Sequence, residues 1–351
     1  MDRTIRTAVV TGPTGAIGGA LCRLLLAEGV TVYAVARPGS PRAGQLPAAP
    51  NLRRVDCDGN ALENALPGQV LAADAFFHLA WAGTIGPGRD DMPAQIQNIR
   101  ASVGAARAAS ALGCKVFVGA GSQAEYGPAG CPLTADTPCF PTGGYGMAKL
   151  CAGQMVRREC ARLGLDAGWA RVLSVYGPQD GPQTLISTAA DALLAGREPA
   201  LTAGEQQWDY LYADDAARAF WLLACRGGSG RVYPVGSGTA RPLRDYLCEL
   251  RDAIDPALPL GFGKIPYGPG QVMFLQADIG DLVRDIGFLP RIPFAQGIRT
   301  TIQWKKGQKK NARYKKNNFG DDSHLQRGGQ RPPHLRGGAG RDFAQLPRLC
   351  V

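Results

Sequence analysis

Thr7-Ala-Val-Val-Thr11-Gly12-Pro-Thr-Gly15-Ala-Ile17-Gly18 is a short apolar β-type run that passes into three glycines at intervals of three. Directly after it, residues 16–28 carry apolar side chains at helical spacing through Ile17, Leu21, Leu24 and Leu25. The text therefore reads strand, tight turn, helix. Further β-rich runs follow at 30–35, 75–79 and 115–119, separated by Ala- and Leu-rich helical material such as residues 99–112. Strands alternating with helices predict a parallel sheet with right-handed crossovers. Residues 167–175 and 231–235 read as later strands of the same sheet. The Pro- and Gly-rich stretches at 178–183 and 256–270 read as a smaller irregular lobe over its carboxyl edge.

The position of the glycines gives them a chemical meaning. Gly12 permits the turn, Gly15 lets a ligand's pyrophosphate approach backbone, and Gly18 lets helix pack closely on strand, with N–H groups of the helix start, including that of Ile17, facing the phosphates. This predicts a dinucleotide-binding, doubly wound (Rossmann) α/β sheet. An acid about twenty residues further on would grip the 2′-hydroxyl of NAD. Arg37 stands there instead, and an arginine pairs with a 2′-phosphate, so NADP is the expected cofactor, with NAD as the alternative.

Composition narrows the class. The chain has 351 residues, 45% apolar and 19% charged, with 47 Gly and 26 Pro, which suits a globular chain rich in turns. The formal net charge of +10 is unevenly placed: residues 305–351 hold 12 Lys or Arg against 3 acids, while the first 304 hold 27 against 26. The body is thus near neutral, and the basic tail, without apolar periodicity, is expected to be disordered. Ten cysteines lie singly, with no CxxC pair, and only three His are present. No metal site or disulfide framework is expected, and the cysteines read as small buried hydrophobes of a reduced, cytoplasmic protein. No apolar run is long enough for a membrane span, and no signal peptide is read.

Tyr145-Gly-Met-Ala-Lys149 places a phenol and an ammonium four residues apart, on one face of a helix. Such an ammonium favours phenolate and is expected to lower the tyrosine pKa toward the working pH. Upstream stands Gly119-Ala-Gly-Ser122-Gln-Ala-Glu-Tyr126-Gly, and downstream Arg171-Val-Leu-Ser-Val-Tyr176-Gly-Pro and Trp208-Asp-Tyr-Leu-Tyr-Ala-Asp-Asp215. With the glycine loop, this order of motifs resembles the extended short-chain dehydrogenase/reductase superfamily, the branch of nucleotide-sugar epimerases, dehydratases and 4-ketoreductases, over residues 5–304. The resemblance implies that Ser122, Tyr145 and Lys149 are catalytic. Tyr145 would be the acid/base, Ser122 its hydrogen-bonding helper, and Lys149 the residue that holds the nicotinamide ribose. It further implies that Asp56 and Cys57 lie at the adenine and that Leu79 and Ala80 line the cofactor with backbone.

The departures refine the implied activity. Gln123 and Ala124 occupy the places of the acid pair that family dehydratases use to remove water, which disfavours dehydration. Trp208, Ser174 and Pro234 replace an arginine and two asparagines used around the nucleotide. His78 reads as packed, and Glu125 and Tyr126 as structural or substrate-lining. The expectation is an NADP-linked nucleotide-sugar oxidoreductase acting at C4, a 4-ketoreductase or 4-epimerase of deoxysugar and surface polysaccharide synthesis. A homodimer is compatible with it. The rival is a cofactor-sensing interaction protein whose basic tail binds nucleic acid, against which the intact Ser122, Tyr145 and Lys149 argue. The expected division is residues 1–175 for the cofactor, with strands near 213–235 returning to that part, 176–304 mainly for the sugar nucleotide, and 305–351 as tail.

Overall fold

The computed structural model describes residues 2–319. In chain order its strands are β1 (Thr7–Thr11), β2 (Thr31–Ala36), β3 (Leu52–Asp56), β4 (Ala75–His78), β5 (Val116–Ser122), β6 (Asp166–Val172), β7 (Ser174–Tyr176), β8 (Gln207–Trp208), β9 (Tyr210–Tyr212), β10 (Arg231–Val235), β11 (Arg241–Pro242) and β12 (Phe274–Leu275). The helices are α1 (Ala16–Ala27), α2 (Leu62–Ala65), α3 (Met92–Ala111), α4 (Gly144–Arg162), α5 (Leu185–Leu193), α6 (Ala213–Arg226), α7 (Leu243–Asp252), α8 (Gly280–Ile286) and α9 (Phe294–Phe319). Seven strands form one parallel sheet in the order β10-β6-β5-β4-β1-β2-β3. Strand order reverses between β1 and β4. In open α/β sheets that point leaves a crevice outside the carboxyl ends of the strands, where ligands bind.

The apolar runs of the central strands are buried on both faces, as a helix-covered parallel sheet requires. One face packs Leu21 and Leu25 of α1 against Phe220 and Leu223 of α6, and the other packs Leu62 of α2, Ala105 of α3 and Val156 of α4. A third apolar cluster, with Ile186, Leu193, Leu247, Leu250, Ile298 and Ile302, joins α5, α7 and α9. Cys22, Cys57, Cys114, Cys160 and Cys225 are buried, while Cys131 is exposed. No helix among the described residues is long and apolar enough to cross a membrane.

Two elements differ from the sequence reading. β3 has no apolar run because it is the sheet's edge: Arg53 and Arg54 face water and only Val55 is buried. Charged edge strands resist pairing with other chains, and their text looks like loop. The stretch expected to be disordered from residue 305 is helical as far as residue 319, because α9 continues without a break. Lys, Gln, Ala and Arg are good helix formers, and the helix is already nucleated by its buried first half. Lys305 then pairs with Asp191 of α5 at 2.9 Å. The remainder of the expected tail lies outside the described residues.

Candidate active site

The glycine loop separates two kinds of glycine. Gly12 has φ +69°, and a Cβ there would stand 2.8 Å from the Ala80 nitrogen; at Gly18 it would stand 2.1 Å from the Gly12 oxygen. The protein's own packing demands both. At Gly15 a Cβ would meet only the Gly12 oxygen at 3.7 Å, an ordinary contact, and φ is −86°. Nothing among the described residues requires glycine at 15, whereas a ligand approaching the loop would. Gly15 is also the N-cap of α1, which has no side-chain cap and no acid in its first turn, leaving N–H donors and the positive end of the helix dipole for an anion. These features fit a dinucleotide pyrophosphate.

Beneath the loop runs a chain of hydrogen bonds whose direction can be worked out. The Leu79 and Ala80 N–H groups donate to Thr11 Oγ1 at 3.1 and 3.2 Å. Ser102 Oγ donates to the Asn98 oxygen at 2.8 Å, so it accepts from His78 Nε2 at 3.1 Å. His78 Nδ1 is then the acceptor for the Thr11 hydroxyl at 3.0 Å. Asn98 continues the network by bonding both backbone groups of Ala82. His78 is fully enclosed, and burial, with the Lys149 charge nearby, pushes its pKa down to about 3. It is a neutral strut behind the loop. Thr11 escaped the sequence reading, although a polar residue closing a buried strand directly before Gly12 was its signal.

The other residues singled out for the cofactor also gather at this edge. Arg37 follows β2 and is exposed, with no ion pair among the described residues. Asp56 closes the neighbouring β3, in register with Ala36, and pairs with Arg54 at 2.7 Å. Cys57 is buried, and its N–H donates to the Ala36 oxygen at 2.9 Å.

Ser122 ends β5, and Tyr145 and Lys149 lie one turn apart in α4, which crosses that strand end. Lys149 Nζ donates to the Ala120 oxygen at 2.6 Å and sits 3.8 Å from the Trp81 ring centroid. Trp81 meets Tyr145 edge-on at 6.1 Å, and the Arg89 guanidinium lies 4.4 Å above the Tyr145 ring. Trp81 could have been noticed as an aromatic directly after the Leu79-Ala80 motif; Arg89 carried no signal.

The expected depression of the Tyr145 pKa is absent from this structure. Burial raises it, against lowering by the neighbouring Ser122 hydroxyl and Arg89, and the Glu125 carboxylate raises it further. Burial likewise pushes the Lys149 pKa down to about 7, with Glu125 pulling the other way. The Lys149 amine stands 5.9 Å from the phenol ring centroid, and desolvation of the buried phenol is the larger effect on its pKa.

Two of the departures satisfy each other: buried Trp208 Nε1 donates to Ser174 Oγ at 2.7 Å. Pro234 lies within β10 on the sheet edge, where no ladder donor is needed.

A glycine loop at the switch point of a seven-stranded parallel sheet, with Ser122, Tyr145 and Lys149 at the end of a nearby strand, belongs to a Rossmann-like α/β fold. The sequence model of the NAD dependent epimerase/dehydratase family matches residues 8–236, and the chain belongs to that family. It is 28% identical over 317 residues to the UDP-glucose 4-epimerase of Mycolicibacterium smegmatis, covering 84% of this chain and 97% of that one. Among solved structures it resembles the UDP-N-acetylglucosamine 4-epimerase of Methanobrevibacter ruminantium in complex with UDP-N-acetylmuramic acid, with TM-score 0.78, 25% identity, and 87% and 100% of the two chains covered. MoeE5, solved in complex with UDP-glucuronic acid and NAD, superposes with TM-score 0.73 at 28% identity over 86% of this chain and 99% of that one. The resemblance to extended short-chain dehydrogenases acting on nucleotide sugars is thereby met.

Proposed function

We propose that this chain is a nicotinamide-linked nucleotide-sugar oxidoreductase acting at sugar C4, as a 4-ketoreductase or a 4-epimerase. The observation that carries the reading is that Ser122 ends β5 with its hydroxyl beside the Tyr145 phenol, while Lys149, one turn further along α4, donates to Ala120 of the same strand, and Gln123 and Ala124 supply no acid or base next to Ser122. Bound at the loop, the nicotinamide dinucleotide supplies or takes the hydride. Arg37 favours the form with a 2′-phosphate, and the family name is consistent with NAD. Tyr145 exchanges the proton with the C4 oxygen, Ser122 shares that hydrogen bond, and Lys149 orients the ribose and supports the tyrosine. Raised by burial, the phenol is protonated at neutral pH, the form needed to donate to a ketone.

The test is a panel of nucleotide 4-keto-deoxysugars and nucleotide hexoses given NADPH or NADH. Loss of reduced-nicotinamide absorbance with a 4-keto sugar supports reduction, and interconversion of C4 epimers without net absorbance change supports epimerisation. No turnover of any member, with cofactor bound, overturns the reading.

A further inference from the structure

Glu125 is the residue that most stands out beyond these assignments. It is wholly buried in the turn after β5. Burying a carboxylate is costly unless its oxygens are satisfied, and here they are. Oε1 accepts from the Ser122 N–H at 2.8 Å and from Trp169 Nε1 at 3.0 Å, while Oε2 accepts from Arg171 Nε at 2.7 Å.

Three glycines make room for this arrangement. A Cβ at Gly119, Gly121 or Gly153 would come within 2.4, 2.4 and 2.6 Å of the Trp169 ring. Gly153 is four residues beyond Lys149 and eight beyond Tyr145, so the three share one stripe of α4. The depth at which that stripe sits over β5 and β6 is therefore set by Trp169, and Trp169 is held by Glu125. The same carboxylate holds the backbone of Ser122.

We infer that Glu125 is a positioning residue, which fixes Ser122 relative to Tyr145 and Lys149 by tying the end of β5 to α4 through Trp169 and to β6 through Arg171. The inference rests on the roles proposed above for those three side chains. It also has an electrostatic side. The groups that face Glu125 are Arg171 on β6, Tyr145, Lys149 and Arg157 on α4, and Tyr126 and Cys139 on the intervening loop. Its negative charge favours the protonated forms of Tyr145 and Lys149, and His78 lies on the far side of Lys149.

Glu125→Gln and Glu125→Asp separate the two effects. Gln keeps the shape and removes the charge, so the midpoints of the pH profile of kcat/KM should move to lower pH. Asp keeps the charge one methylene short, so kcat should fall by about 10- to 100-fold through misplacement, with the profile unmoved and cofactor affinity within a few-fold. Should the unpaired Arg171 prevent Glu125→Gln from folding, the double variant Glu125→Gln/Arg171→Met removes both charges and must show the altered profile. A folded Gln or double variant with the wild-type profile, or an Asp variant with wild-type kcat, overturns the inference. If the wild type turns over no panel substrate, the functional reading fails, and the positioning role is judged on the pH dependence of NADPH binding, whose midpoint Glu125→Gln must move.

Discussion

Trp208 and Ser174 stand 34 residues apart and meet through a 2.7 Å hydrogen bond from the indole N–H to the hydroxyl. Both occupy positions where the family resemblance implies nucleotide-binding polar residues, and here they bind one another. Ser174→Ala leaves a buried donor without its partner and should cost about 1–3 kcal/mol. Trp208→Phe should make the later loss of the Ser174 hydroxyl nearly neutral. Urea unfolding of the two single variants and the double variant checks this, and strict additivity would remove the coupling.

Tyr145→Phe deletes one oxygen and keeps the ring against Trp81 and Arg89. Hydride transfer with a nucleotide 4-keto sugar should slow by roughly 10²- to 10⁴-fold, with NADPH affinity within a few-fold. Lys149→Met should weaken cofactor binding and slow chemistry together. Pre-steady-state absorbance and fluorescence titration read the two; wild-type hydride transfer in the Phe variant would sink the mechanism.

Arg37→Asp should shift cofactor preference from NADP toward NAD, because an acid repels a 2′-phosphate and accepts from a free 2′-hydroxyl. Arg37 is exposed, so the exchange should leave the melting temperature nearly unchanged. The ratio of dissociation constants for NADPH and NADH is the measurement, and an unchanged ratio removes Arg37 from the site.

His78 makes stability depend on acid. Its pKa is about 3 when folded against 6.5 ordinarily, so between these values the unfolded chain binds a proton that the native chain does not. Stability from this group is complete above about pH 6.5 and falls as pH drops toward 3, by up to about 1.4 kcal/mol per pH unit. In His78→Gln the slope of unfolding free energy between pH 6.5 and 5 should be shallower, groups common to both proteins dropping out of the difference. Equal slopes in urea titrations would contradict the neutral strut.

Cutting the chain after Trp304 should preserve cooperative unfolding, because Phe294, Ile298 and Ile302 already bury the inner face of α9. The Lys305–Asp191 pair is lost, and with Asp191 on the surface that should cost no more than about 1 kcal/mol. Differential scanning calorimetry checks it; loss of the transition would show that the later part of α9 is needed for folding.

What was legible in the sequence is local in origin. Strand, glycine turn and amphipathic helix are short-range patterns, and the order of β1, α1 and the later strands follows from their periods. The Tyr145 and Lys149 pairing needs only helix geometry. β3 was not legible, because an edge strand carries the charges of a loop, nor was the continuation of α9, because the helix is nucleated by the packing of its first half against distant elements and not by any apolar period of residues 305–319.

The amino-acid sequence alone determined that this protein builds a parallel, doubly wound sheet with a phosphate-ready loop after its first strand, since backbone freedom at glycine and hydrophobic period act over a few residues. Only the tertiary structure decided the protonation of the site and which polar residues support it. The fall of the Lys149 pKa to about 7, the rise of Tyr145, the neutral His78 behind Thr11, and the hold of Glu125 on Trp169 and Arg171 all depend on burial and on partners 20 to 67 positions away in the chain. Desolvation and long-range hydrogen bonds come into being when distant segments meet, so no local pattern encodes them.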